Sequence, residues 1–449
     1  MIAGAEREAG PDAEAVNETL ERVAAANVRL VDLLFSDITG GAKALTIPVE
    51  LLADTMAHGY RFDGSALTGT RRIELDLFLV PDPTTLLISD GADPRGRRAR
   101  ICCSVRRRDG QPFDGDPRSV LERALADARA AGFEFRVGIE IEYYLVRGDW
   151  PNVVRTLDAA GYFDVGEETS SRVRDEVVST LDALGISVGG AHHETGPGQE
   201  ELDLLPADAL RMADQLITVR QVVREVAQRH GLRATFMPKP FSDAPGSGMH
   251  IFQRLRRYPE GTDALVHGGD ALAATAYHFI GGQLAHARAM CAVLCPTVNS
   301  YKRLNAGHRA PRHATWAHVS QSSLIRVPSW APGEEAAIEL RSPDATANPY
   351  LALAVTLACG MDGIRQGEEP PEPLEESLTA YDDEGMQRIG VPRLPTTLGE
   401  ALSALTQDTV VQEALGDYVY DQLLSVKRDE WEEYRAQVGP WELRRYGDA

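Results

Sequence analysis

The chain has 449 residues, of which 43% are hydrophobic and 25% are charged, and its formal net charge at pH 7 is −21. Because single hydrophobic cores stop growing at roughly 250–300 residues, we expect more than one domain. A surface this acidic repels phosphate backbones and anionic lipids, so nucleic-acid binding and membrane binding are excluded as default functions.

The cysteines and the N-terminus both indicate a cytoplasmic protein. The five cysteines are odd in number and lack the paired spacing of a zinc site, so we expect buried free thiols in a reducing compartment. Residues 1–14 contain no apolar stretch, which predicts no signal peptide. No segment approaches the roughly 20 apolar residues that a membrane span needs.

Residues 1–110 are predicted to form a small, strand-rich domain. The pattern of apolar residues predicts one helix followed by three strands, at residues 17–27, 28–35, 42–47 and 73–80. The sequence changes character near Asp116, where amphipathic helical patterns begin. We therefore predict a domain boundary after residue 110.

Residues 111–449 are predicted to mix helices and strands. A strand covers residues 133–146, and helices cover residues 119–131, 171–184, 207–230, 271–294 and 398–438. The segment 366–395 is rich in proline and glutamate and is expected to run over the surface. Strands first and mixed elements afterwards indicate an α+β fold with two domains, residues 1–110 and 111–449.

The strongest chemical signal is charge inside an apolar strand. Side chains alternate faces along a strand, so Glu140 and Glu142 share one face. Ile139, Ile141 and Tyr143 share the other face. Buried carboxylates are costly without a partner, and a multivalent cation removes that cost. The alternative is a solvent-facing strand edge with alternating polarity, and this motif alone leaves both open.

The same pattern recurs in other segments. Glu339 and Arg341 share a face of an apolar strand, and His250 lies between two apolar residues. Glu194 and Glu201 flank a Pro-Gly turn. A lone histidine is more often a satisfied core residue, but acids and an imidazole on separate strands indicate a shared site. Such ligands suit Mg²⁺ or Mn²⁺, and two such ions can clamp a transferring phosphoryl group.

Around these residues the sequence resembles glutamine synthetase of the bacterial class I type, over residues 28–446. The resemblance is carried by ordered motifs, including Phe35-Ser36-Asp37, Arg61-Phe62-Asp63-Gly64-Ser65, Gly138-Ile139-Glu140-Ile141-Glu142, Met237-Pro238-Lys239-Pro240-Phe241 and the segments 192–201, 246–250, 296–304 and 338–350. It implies a β-grasp-like N-terminal domain and a C-terminal catalytic domain with a curved antiparallel sheet.

The resemblance also implies a metal site with two ions. One ion would be held by Glu142, Glu194 and Glu201. The other would be held by Glu140, His250 and Glu339. These six residues are the ones singled out above by their place on apolar strands or around the Pro-Gly turn.

Further residues are given roles by the resemblance. Arg303 would bind the α-carboxylate of glutamate, which suits a guanidinium fork. Arg341 and Arg326 would lie near the γ-carboxylate and the phosphate formed on it. Asp63 would reach the ammonium site of a neighbouring subunit. Because family members form double hexameric rings with sites between subunits, the resemblance implies a ring-forming homo-oligomer, a dodecamer.

The sequence departs from the family pattern in the flap and on the nucleotide side. Arg309 stands where a glutamate usually helps to deprotonate ammonium, and its positive charge disfavours an ammonium ion. The changed nucleotide positions are Gly189, Phe252, Arg254, Gln321 and the run Glu334-Glu335-Ala336-Ala337. The remaining candidates for nucleotide binding are Arg326, Arg341, Phe252 and Arg254, and whether ATP is still used stays open.

Three functions follow. The first is an ATP- and Mg²⁺- or Mn²⁺-dependent ligase that joins the γ-carboxylate of glutamate, or of a similar amino acid, to an amine other than ammonia. The second is a metal-dependent enzyme that has lost ATP use and catalyses another reaction. The third is a non-catalytic homologue.

Overall fold

The protein is described by a computed structural model. The structure describes residues 13–67, 76–89, 97–155, 160–165, 168–267, 271–306, 310–331, 333–376, 383–388 and 390–449. These residues form two sheets surrounded by helices, and the predicted α+β class is confirmed.

The first sheet belongs to the N-terminal part of the chain. Its helices are α1 (Ala13–Ala25) and α2 (Leu52–His58), and its strands are β1 (Val28–Ser36), β2 (Ala42–Pro48), β3 (Tyr60–Phe62), β4 (Leu77–Pro81), β5 (Leu87–Ile88) and β6 (Arg97–Arg106). The strand order is β2-β1-β6-β4-β3, with β5 on β6 and β1 parallel to β6. Apolar residues of alternate strand positions, such as Val31 and Leu33, bury themselves against the helices.

The second, nine-stranded sheet carries the polar residues singled out above. Its strands are β7 (Phe133–Arg147), β8 (Val154–Arg155), β9 (Val188–His193), β10 (Gln199–Asp208), β11 (Arg233–Thr235), β12 (Met249–Arg257), β13 (Trp316–Ala317), β14 (Ile325–Arg326) and β15 (Ile338–Leu340). The order is β13-β14-β15-β12-β7-β10-β9, with β8 and β11 on β7. Strand β7 is therefore central and not an exposed edge.

Helices cover the apolar face of this sheet and extend beyond it. They are α3 (Pro117–Ala130), α4 (Glu168–Ala183), α5 (Ala209–Arg229), α6 (Ala274–Ala285), α7 (Ala287–Leu294), α8 (Ser300–Asn305), α9 (Pro349–Gln366), α10 (Asp383–Arg388), α11 (Leu398–Leu405), α12 (Thr409–Leu415), α13 (Asp417–Ala436) and α14 (Pro440–Tyr446). Ile139, Ile141 and Tyr143 lie in this core, as the alternation along β7 predicts. In the described part of the chain, no helix combines the length and apolar character that crossing a bilayer requires.

Two predictions of a long continuous helix are wrong, because each helix is interrupted in the structure. The helix predicted over 271–294 is two helices that meet at His286, whose backbone leaves helical geometry at φ −96° and ψ 3°. The His286 ring contacts Asp408 through Nδ1 (2.7 Å) and Asp362 through Nε2 (3.3 Å). The helix predicted over 398–438 is three helices, because Asp408 caps α12 and Gly416, at φ 76°, separates α12 from α13.

The strand predicted over 73–80 is found at Leu77–Pro81, and residues 73–75 lie outside the described residues. The domain boundary after residue 110 stays a prediction. Phe113, just beyond it, packs in the N-terminal core. Arg118 on α3 joins the two parts: it contacts Asp82 of the N-terminal part (2.6 Å) and Asp214 of the C-terminal part (3.0 Å).

Candidate metal and substrate site

A cavity of about 1130 Å³ opens on the polar face of the nine-stranded sheet. Carboxylates, two imidazoles and three arginines line it. Most of them occupy alternate strand positions that face away from the core, and Arg303 comes from α8. Its polar lining includes Glu140, Glu142, Glu194, Glu201, Asp203, His250, Arg303, Arg326 and Arg341. Residues that are far apart in sequence thus meet in one place.

The predicted metal set of Glu140, His250 and Glu339 is brought together. His250 on β12 lies directly opposite Glu140 on β7, and its Nδ1 is 3.1 Å from Glu140 Oε2. The same nitrogen is 3.5 Å from Oε1 of Glu339 on β15. One ligand atom from each of these residues lies within 4.8 Å of the others.

Two arginines hold the innermost carboxylate. Glu339 is fully buried, and it accepts hydrogen bonds from Arg326 Nε through Oε2 and from Arg341 Nη1 through Oε1. Arg326 lies opposite Glu339 on the neighbouring strand, and Arg341 follows it by two residues on the same face. Burial lowers the pKa of His250 well below its ordinary value, and the nearby arginines add to the effect, so the imidazole is neutral and able to bind a cation.

The predicted metal set of Glu142, Glu194 and Glu201 is only partly brought together. Glu142 and Glu201 lie directly opposite each other on β7 and β10, and Glu194 lines the same cavity. Among the described residues, however, the other close set of ligand-type side chains is His192, Glu201 and Asp203. His192 Nε2 is 3.2 Å from Glu201 Oε1.

Asp203 and His192 are therefore site residues that the sequence reasoning missed. Asp203 follows Glu201 by two positions on β10, so the alternation that singled out Glu140 and Glu142 could have found it. His192 lies opposite Glu201 on β9, which only the strand register reveals.

Protein donors fix the orientation of Glu142. Its Oε2 accepts hydrogen bonds from Gln199 Nε2 (2.9 Å) and from the Gly248 amide (3.0 Å). Gln199 is fully buried, and its Oε1 accepts from Tyr144 Oη (3.2 Å) and the Gly196 amide (3.0 Å). Burial, reinforced by the charge of Glu194, raises the pKa of Glu142 to about 7.

Arg303 is anchored before any ligand binds. Nη1 donates to Ser342 O (2.7 Å) and Pro343 O (3.1 Å), and Nη2 donates to Arg341 O (3.0 Å). A guanidinium has five N–H donors, so these three bonds leave two for a ligand. Two glycines make room for it: a Cβ on Gly246 would lie 2.7 Å from Arg303 Cγ, and one on Gly248 would lie 2.6 Å from Nη2.

The other predicted site residues lie outside the cavity or outside the described residues. Phe252 and Arg254 follow His250 on the same face of β12, but neither is part of the cavity lining. Asp63 is exposed on the N-terminal part, where its carboxylate accepts from the Ser65 amide (2.9 Å). Arg309 lies outside the described residues, so its predicted place in the flap stays a prediction.

Two family models match the chain. The model described as glutamine synthetase, catalytic domain, matches residues 114–446, and the model described as glutamine synthetase, beta-Grasp domain, matches residues 27–108. The chain belongs to the glutamine synthetase family of ligases. The predicted fold, a β-grasp-like N-terminal domain followed by a catalytic domain with a curved sheet, is confirmed.

Individual relatives are similar over most of their length. The chain is 41% identical over 434 residues to the glutamine synthetase of Halobacterium salinarum, which covers 95% of each protein. It is 40% identical over 439 residues to that of Thermus thermophilus, covering 96% of this chain and 98% of the relative. Among solved structures, a GmaS–ADP complex matches with a TM-score of 0.87 and 32% identity, covering 96% of this chain and 99% of that chain.

The donor set fits the divalent metals that the family uses. Each close set combines carboxylate oxygens with one imidazole and no sulfur, which suits Mg²⁺ or Mn²⁺. Burial raises the pKa of Glu140 and of Glu201, and for Glu201 neighbouring carboxylates raise it further. A bound cation would stabilise the ionised form of these groups.

Proposed function

We propose that the protein is an ATP- and Mg²⁺- or Mn²⁺-dependent ligase that joins the γ-carboxylate of glutamate, or of a similar amino acid, to an amine other than ammonia. The observation that carries the proposal is the meeting of Glu140, His250 and the buried Glu339 at the wall of a cavity that arginines also line. The similarity to GmaS, a γ-glutamylmethylamide synthetase, supports an amine as the nucleophile.

The arginines are suited to bind the acid substrate. Arg303 keeps two N–H groups for the α-carboxylate, since its other three donate to main-chain carbonyls. Arg341 and Arg326 are suited to the γ-carboxylate and to the phosphoryl group transferred to it. The metal ligands would be Glu140, His250 and Glu339 for one ion, with Glu142, Glu194 and Glu201 for the second. The ions would neutralise charge on the transferring phosphoryl group.

The reaction proceeds in two displacements. A γ-carboxylate oxygen attacks the terminal phosphorus of ATP, and the bond from that phosphorus to the bridging oxygen breaks, which releases ADP and leaves an acyl phosphate. The amine nitrogen then attacks the carboxyl carbon, and the C–O bond breaks with its electron pair leaving on inorganic phosphate. The proton that the amine loses passes to solvent water in the cavity.

The assembly and the compartment are part of the proposal. Asp63 is exposed and lies outside the cavity of its own chain, which is consistent with a role in a neighbouring subunit of a ring. The five cysteines are free and buried, which favours a reducing cytoplasm.

A second candidate function is a metal-dependent reaction without ATP. Beyond the cavity, Glu335 contacts Arg256 and, at 3.5 Å, Arg136, so cations that could bind a nucleotide phosphate are partly neutralised within the protein. Gln321 lines the cavity at a position where the family pattern has an arginine.

One experiment separates these functions. Purified protein is incubated with ATP, glutamate and Mg²⁺ or Mn²⁺, with and without single amines, while phosphate release is followed and products are identified by mass spectrometry. Phosphate release that depends on an amine and yields its γ-glutamyl amide supports the ligase. Ammonium as the best nucleophile would contradict the proposed amine specificity.

Binding measurements and matched variants complete the test. Metal binding without ATP binding in calorimetry supports the second function, and neither binding supports a non-catalytic homologue. The variants are Glu140→Gln and Glu134→Gln, which lie on the same face of β7 inside and outside the metal set. Only Glu140→Gln is expected to abolish metal-dependent turnover.

A further inference from the structure

One lysine lines the cavity without a part in the reaction proposed above. Lys239 lies in the loop between β11 and β12, and its Nζ donates a hydrogen bond to Ala244 O. An ammonium group has three N–H donors, so this bond leaves two for a ligand. Arg326 and Arg341 differ from this lysine, because each contacts a carboxylate oxygen of Glu339. Lys239 therefore offers positive charge to an anion in the cavity.

Lys239 lies on the same side of the cavity as Arg303. The two cations contact neighbouring positions of the cavity wall, because Lys239 bonds Ala244 and the stem of Arg303 packs against Gly246. A Cβ on Gly246 would lie 2.7 Å from Arg303 Cγ and 2.7 Å from Pro238 O, the carbonyl that precedes Lys239. The arginine stem and the main chain that carries the lysine thus meet at one glycine.

One side chain ties the lysine loop to the helix that carries the arginine. Asn299 directly precedes α8, on which Arg303 lies, and its Oδ1 accepts a hydrogen bond from the Lys239 amide (2.7 Å). Its Nδ2 donates to Lys239 O (3.1 Å). The main-chain positions of the two cations are therefore fixed relative to each other by direct hydrogen bonds, and not by loop packing alone.

We propose that Lys239 binds the α-carboxylate of the acid substrate together with Arg303. The inference rests on the proposed function, because it assigns a further contact to the acid of that reaction. Asp243 lies in the same loop and also lines the cavity, so the loop offers charges of both signs to the zwitterionic end of an amino acid. The acid substrate is therefore an α-amino acid with a second, distal carboxylate, and an acid that lacks the α-carboxylate binds poorly.

Calorimetry with glutamate in the presence of Mn²⁺, without ATP or amine, tests the contact. Lys239→Gln keeps an N–H donor for Ala244 O but removes the charge, so the Kd of glutamate is expected to rise roughly 10- to 100-fold. Lys239→Arg, which keeps the charge, should retain most of the affinity. 4-Aminobutyrate has no α-carboxylate, so it should bind weakly and equally to wild type and Lys239→Gln. In turnover, KM for glutamate should rise with kcat little changed, because the contact is equal in the ground and transition states.

Lys302→Gln is the matched control. Lys302 is exposed on α8 beside Arg303 and is not part of the cavity lining, so its loss should leave the Kd and KM of glutamate unchanged. An unchanged Kd in Lys239→Gln, an equal loss in Lys239→Arg, an equal loss for 4-aminobutyrate, or no glutamate binding by the wild type would overturn the inference. Normal glutamate binding without phosphate release with any amine would instead contradict the proposed function.

Discussion

Charged side chains have opposite roles at the two ends of the polar face of the nine-stranded sheet. The inner end adjoins the cavity, and the outer end lies beyond it. At the inner end, Glu140 and His250 line the cavity and converge with the buried Glu339, and burial raises the pKa of Glu140. At the outer end, Glu335 is shared by Arg256 and Arg136 on the adjacent strands. The outer charges are satisfied within the protein, whereas the inner acids gain from a cation. The comparison separates a structural ion network from a ligand site on the same strands.

The largest expected effect is that of Glu339→Gln. It removes a proposed metal ligand and the carboxylate that Arg326 and Arg341 contact, so turnover should fall at least about a hundredfold. Phosphate release with saturating amine measures the loss, and thermal denaturation checks that the variant folds. Undiminished turnover in a folded variant would contradict the metal assignment.

Gln199→Leu tests whether a buried amide orients a metal ligand. The variant leaves the Gly248 amide as the remaining described donor to Glu142 Oε2, so Mn²⁺ affinity should fall roughly 10- to 100-fold. Calorimetric titration with Mn²⁺ gives the dissociation constant. Gln283→Leu, at another buried amide that bonds Gln253, is the control for a merely structural loss, and an equal fall in both would refute the orienting role.

Glu142 contributes to the pH dependence of stability. Because its folded pKa is raised to about 7, the metal-free folded state binds more protons than the unfolded state above the ordinary value near 4.5. The stability that the folded state gains by binding a proton at Glu142 is therefore lost as pH rises towards 7. Mn²⁺ should raise the Tm more at pH 8 than at pH 5.5, and Glu142→Gln should reduce that difference. An equal shift at both pH values would contradict this account.

The smallest effect is expected for Glu335→Gln, at the outer end. The partly exposed contacts with Arg256 and Arg136 contribute about 1 kcal/mol or less to the free energy of unfolding, and Mn²⁺ affinity should not change. If these arginines instead reach a nucleotide, the variant should bind ATP more tightly. Calorimetry with Mn²⁺ and with ATP separates these outcomes.

Alternation of side chains along strands predicted much of the site. It placed Glu140 and Glu142 on one face and Glu339 with Arg341 on another, because the period of a strand depends only on its local backbone. The same rule applied to β10 would have added Asp203. His192 required knowledge of the register between β9 and β10, which is set by tertiary packing.

Other features depend on partners that are distant in sequence. The break at His286 was not predicted, since the surrounding residues favour a continuous helix and its partners Asp362 and Asp408 lie far along the chain. The anchoring of Arg303 by carbonyls of residues 341–343 is likewise invisible to local patterns. Family resemblance supplied the role of Arg303 but not its geometry.

Anomalous X-ray scattering from crystals soaked in Mn²⁺ tests the central claim most directly. The account predicts one manganese peak bounded by Glu140, His250 and Glu339, and a second beside Glu142 and Glu201. Crystals at saturating Mn²⁺ with no peak among these side chains, or with peaks only at surface carboxylates, would contradict it.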